Sequence, residues 1–185
     1  MNLIAALLLS HLVADFPLQT NQIYRLKNES WLGIVLHAAI HVLVAALLIK
    51  QPWAVWPMLV WLGVLHFFVD LVKLRAPIRS PSVGFLLDQG AHLVVLWFLA
   101  RAWSTVTASV LPLSVLIPMI LYGLFLATLV FSWVLANELA RGAWGRRRYV
   151  QWARNHLLQL SQYAGLPLLF SLAVHWYQSS SSRSP

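Results

Sequence analysis

Cysteine is absent from the chain. That excludes disulfides, thiolate nucleophiles and cysteine metal ligands, so any metal site must be built from His, Asp, Glu and other oxygen donors. Charge is also scarce. Charged residues make up 10% of the sequence, against about a quarter in a soluble domain. Only five are acidic: Asp15, Glu29, Asp70, Asp88 and Glu138. So few charges do not cover a water-exposed surface, which argues against a soluble globular protein.

What is present points to a bilayer. Hydrophobic residues make up 60% of the 185-residue chain, with Trp 10, and the mean hydropathy is +0.73. Tryptophan and arginine anchor helices at lipid interfaces. The net charge of +8 reads as a positive-inside bias with attraction to anionic lipids, not as nucleic-acid binding. The N-terminal run "MNLIAALLLS" has no Lys or Arg before its apolar core and no small-x-small cleavage site, so it is expected to stay as a helix.

A membrane helix needs about 20 mostly apolar residues. Six candidates satisfy this: about 2–18, 31–50, 53–74, 83–103, 109–136 and 157–177. The expected fold is an all-α, polytopic transmembrane bundle of about six helices, in a single domain over 1–178 with a disordered tail over 179–185. Pro17 removes a helix hydrogen bond and restricts its predecessor, so the first helix should end or kink near Phe16. Alternate linkers hold ten of the thirteen Lys and Arg: Arg25 and Lys27; Lys73, Arg75 and Arg79; Arg141, Arg146, Arg147, Arg148 and Arg154. The positive-inside rule then places these linkers in the cytoplasm and both termini outside. The last of them, within the basic segment 137–156, interleaves arginines with Trp144, Tyr149 and Trp152, and is expected to lie on the membrane surface as a basic, aromatic helix.

Three of the five acidic residues fall in or beside apolar spans, each with a histidine four residues away: His11 and Asp15, His66 and Asp70, Asp88 and His92. The second span carries His37 and His41 at the same spacing. Residues four apart share a helix face, so each of the first four spans presents one polar face among leucine, valine and aromatic residues. A charge in hydrocarbon costs at least about 2.5–3.5 kcal/mol, so these faces should turn towards one another or towards a water-filled cavity. All four pairs fall in the half of the membrane nearer the basic linkers. Imidazole and carboxylate suit divalent ions, and bundle cores hold such ions between facing helices. The candidate ligands are His11, Asp15, His37, His41, His66, Asp70, Asp88 and His92. Zinc is the first choice of metal, with manganese or iron as alternatives, and one or two ions would fit. Some aspartates would orient histidines instead of binding the metal. One not used as a ligand, among Asp15, Asp70 and Asp88, would act as general base.

Other polar residues extend the site. Gln19, Lys73 and Gln89 are candidate substrate-binding residues; Lys73 would pair with Asp70 or with an anionic substrate group, or serve only as a positive-inside lysine. Asn137, Glu138 and His156 flank the basic linker and read as interfacial.

The runs "HLVADFPLQT", "HAAIH", "LHFFVDLVK" and "LLDQGAH" together resemble the small bacterial membrane proteins catalogued as domain of unknown function 3307 (DUF3307). The likeness covers about residues 1–95 and implies a bacterial inner (plasma) membrane location, but carries no activity. A looser similarity, by pattern only, is to membrane-bound metal-dependent hydrolases, which implies a hydrolytic metal site.

The favoured function is a membrane-embedded, metal-dependent hydrolase open to the cytoplasmic leaflet, acting on a membrane-associated or lipid-linked substrate. The alternatives are a haem-binding or electron-transfer module, with His37 or His41 facing His92, and a proton or ion transporter. The carboxylates weigh against haem. The apolar outer halves, such as "LVVLWFLA", weigh against a relay to both sides. A scaffold without chemistry leaves four costly polar pairs unexplained.

Overall fold

Pro17 ends the first apolar run early, and this sets the architecture. The computed structural model describes residues 2–104 and 109–181. Among them the chain forms helices α1 (Asn2–Asp15), α2 (Asn21–Glu29), α3 (Trp31–Leu48), α4 (Trp56–Arg75), α5 (Pro81–Ala102), α6 (Leu113–Leu139) and α7 (Arg148–Ser181). A 3-10 turn, Pro52–Val55, leads into α4. The expected all-α bundle is thus observed.

The helix starts are written in the local sequence. Thr20, Ser30 and Ser80 cap α2, α3 and α5 by accepting from the amides of Ile23, Gly33 and Val83. Such a cap satisfies one of the amide donors that a helix start leaves open. The carboxylate of Glu138 adds a second cap to α5, accepting from the Ser82 amide at 3.0 Å.

Five helices are long and apolar enough to cross a membrane: α3, α4 with its leading turn, α5, α6 and α7. The first candidate differs. α1 has 14 residues, about 21 Å at the usual rise, short of a hydrocarbon core of about 30 Å. It is instead the centre of the bundle, packed against α3, α5 and α6. Leu7, Leu9, Val13 and Ala14 are wholly buried. Gly123 lets α6 come close: a Cβ there would lie 2.9 Å from Leu12 Cβ. Around this centre the outer faces are apolar, with Trp61, Phe68, Leu87, Val94, Trp97, Phe98, Phe125 and Phe170 exposed, as lipid contact requires.

The connections gather at two ends. At one, an isolated bridge joins Ile49 to Ser109, and the Trp176 indole donates to the Leu47 carbonyl. At the other lie α2, the α4–α5 turn and the α6–α7 turn, with the basic residues.

Two further expectations are corrected. The basic segment 137–156 is not one surface helix. α6 runs to Leu139, a turn containing Gly142 and Gly145 follows, and α7 restarts at Arg148; two glycines so close disfavour a continuous helix. The expected tail begins too early, because α7 reaches Ser181; residues 182–185 lie outside the described residues.

Candidate metal centre

Four helices deliver their polar pairs to one place. α1 brings His11 and Asp15, α3 brings His37 and His41, α4 brings His66 and Asp70, and α5 brings Asp88 and His92, all of them buried. The five imidazoles are packed together. His66 stacks between His41 and His92, with ring centroids 3.6 and 4.1 Å away, and His11 lies 5.0 Å from His92.

Every one of the five rings turns its Nε2 towards a carboxylate. Asp15 Oδ1 lies 3.1 Å from His37 Nε2 and 2.9 Å from His41 Nε2, and those two nitrogens are 3.3 Å apart. Asp15 Oδ2 faces His11 Nε2 at 3.6 Å. Asp70 Oδ2 lies 3.4 Å from His66 Nε2 and 3.8 Å from His37 Nε2. His92 Nε2 lies 3.5 Å from Asp88 Oδ1 and 3.8 Å from Asp70 Oδ1.

Two lysines complete the charge pattern. Lys27 Nζ pairs with Asp70 Oδ1 and Lys73 Nζ with Asp88 Oδ2, each at 2.5 Å. Lys73 therefore reaches across to α5 instead of pairing with Asp70 on its own helix. Gln89 ties the network together: its amide donates to Asp15 Oδ2 at 3.0 Å and its oxygen faces His11 Nε2 at 3.2 Å. With neutral imidazoles, three carboxylates against two ammoniums leave one negative charge, and Asp15 is the carboxylate that no lysine neutralises.

This donor set suits a cation. Asp15, His37, His41 and His66 can bring four ligand atoms within 4.8 Å of one another, and the sets His11, His66, His92 and Asp70, Asp88, His92 can each bring three. Zinc bonds of about 2.0–2.1 Å in a tetrahedron hold neighbouring donors about 3.3 Å apart, close to the three separations around Asp15. Among the described residues, His66 Nε2, His92 Nε2, Asp88 Oδ1 and Asp70 Oδ2 are buried without a hydrogen-bond partner, whereas Asp70 Oδ1 is held by Lys27. Buried polar atoms of this kind are rare unless something else binds them.

On the far side the centre is sealed. Leu7, Ala45, Leu62 and Leu96 each stand one turn from a site histidine, and all are buried in one apolar cluster with Met58 and Leu99. On the basic side lies a cavity of about 360 Å3, lined by Asp15, Lys27, Lys73, Asp88 and Gln89, with Gln19 at its wall.

Lys27 is the residue that sequence reasoning assigned to topology alone. It is the buried residue of α2, and its position depends on Gly33: a Cβ there would fall 2.1 Å from the Leu26 carbonyl and 2.5 Å from the Lys27 amide. Amphipathicity in "NQIYRLKNE" does not mark it, since Tyr24 and Leu26 of the same helix are exposed while Lys27 is buried. Asn137 and His156, by contrast, bond to carbonyls of their own helices.

Residues 3–131 match the family described as a protein of unknown function, DUF3307, and the chain belongs to that family. No curated protein matches, and no solved structure does, so the likeness to membrane hydrolases gains nothing from either.

Proposed function

We propose that this is a multi-pass inner-membrane protein holding one divalent cation, zinc before manganese or iron, at Asp15, His37, His41 and His66. The observation that carries the reading is the triangle of Asp15 Oδ1, His37 Nε2 and His41 Nε2, with sides of 3.1, 2.9 and 3.3 Å. Charge favours the same corner, since Asp70 and Asp88 already face lysines.

The chemistry we assign is hydrolysis of a membrane-associated substrate from the cytoplasmic side. A bound divalent ion supplies Lewis acidity and lowers the pKa of water. The chain's own residues would do the rest. Asp88, which borders the cavity, would take the proton; Gln19, Lys73 and Gln89 would orient the substrate; the leucine layer would keep water from crossing. Two observations weigh against the rival functions. His66 fills the space between His41 and His92 that a haem would need. The apolar layer interrupts any proton path to the opposite face.

Elemental analysis of the detergent-purified protein tests the assignment. One equivalent of metal per chain, lost in His41→Ala, is expected. Full metal retention in that variant would overturn it.

A further inference from the structure

We propose that the cavity beside the metal centre binds a phosphate ester, recognised by Lys27 and Lys73. The inference deepens the metal reading and rests on it for one argument, that of charge. A divalent cation would convert the single uncompensated negative charge into a net positive one, held where the low dielectric makes charge costly. An oxyanion entering from the cavity would offset it.

The geometry points the same way without the metal. Both lysines line the cavity. Lys27 is only 6% exposed, so it has not extended to water as membrane lysines usually do. Lys73 is one-third exposed at its side chain, which leaves it free to swing from Asp88 to an incoming anion. The lining is mixed. Asn21, Asn28 and Ser80 supply polar groups, and Phe85, Val130 and Leu158 supply apolar surface. A volume of about 360 Å3 falls among small-molecule sites and exceeds what bare phosphate fills. A phosphate carrying a small alcohol suits it, supplied either by a lipid headgroup or by a soluble ester.

Zinc-loaded protein in detergent would be titrated calorimetrically with inorganic phosphate and glycerol 3-phosphate. The same chains in nanodiscs containing phosphatidic acid would be assayed for lipid retention by native mass spectrometry. Lys73→Gln removes the mobile cation. Gly84→Val narrows the cavity, since a Cβ there meets Ile78 at an ordinary 3.5 Å. Arg75→Gln, outside the cavity, is the control. Binding at least tenfold weaker in the first two variants and within twofold of the parent in the control is expected. Glycerol 3-phosphate binding identifies a soluble ester, and retention of phosphatidic acid alone identifies a lipid headgroup. Lys73→Gln binding as tightly as the parent, an equal loss in Arg75→Gln, or no binding of any probe would overturn the proposal. Metal content measured on the same samples separates the two readings. Failed binding with metal in place sinks the anion site alone; absent metal sinks the metal assignment whatever the anion does.

Discussion

His37 Nε2 and His41 Nε2 lie 3.3 Å apart, both turned to one oxygen of Asp15. Two imidazole nitrogens that close cannot both point lone pairs at each other without a proton or a cation between them. A cation bound here stabilises the folded chain by mass action. At 100 times its dissociation constant, zinc should raise stability by about 2.7 kcal/mol. Thermal melts in detergent with and without a chelator check this, and His37→Ala should abolish the zinc-dependent increment while leaving a folded helical spectrum.

Asp70 is fully buried and holds Lys27, itself buried. Removing one partner of such a pair strands the other charge, typically at about 3–5 kcal/mol. Asp70→Asn and Lys27→Met should each be destabilised to that extent in denaturant titrations. The double variant should lose less than the sum of the two, because neither charge is then stranded. Strict additivity would show that the pair is not coupled.

The polar pairs were legible because helical spacing is a local rule: His11 with Asp15, or His66 with Asp70, share a face in any α-helix. That the faces converge followed from the cost of a lone charge in lipid. What was not legible depends on tertiary packing. Nothing in "NQIYRLKNE" distinguishes a topogenic lysine from one that enters the core, because the difference lies in how closely α2 approaches Gly33. The partner of Lys73 stays open between Asp70, an anionic group and no partner at all for the same reason: Asp88 lies on the next helix and is near only once α4 and α5 pack. The shortness of α1 was signalled by Pro17, but its place at the bundle centre was not, since an apolar helix looks alike facing lipid or protein.

The close approach at Gly33 has its own test. Gly33→Ala places a Cβ against the Leu26 carbonyl and Lys27 amide, and backbone has little room to yield. A cost of about 1–3 kcal/mol is expected, as for other overpacked sites, with faster hydrogen exchange over residues 21–29 as α2 lifts. Gly90→Ala, which meets nothing within 4 Å, should instead stabilise α5 by about 0.5–1 kcal/mol.

The absence of native cysteine makes orientation directly measurable. The proposed topology puts the cavity mouth in the cytoplasm, and Asn28 lines that cavity on an exposed position of α2. Gln51, exposed between α3 and α4, belongs to the opposite end, next to the bridge of Ile49 with Ser109. Asn28→Cys should therefore react with a membrane-impermeant maleimide only in inverted vesicles, and Gln51→Cys only in intact spheroplasts. The reverse pattern would move the basic loops outside, against the positive-inside rule, and would place the histidine site in the outer half of the membrane. Labelling of Asn28→Cys from both faces would mean that the chain inserts in both orientations, so that the cavity opens to either side of the membrane and the cytoplasmic assignment fails.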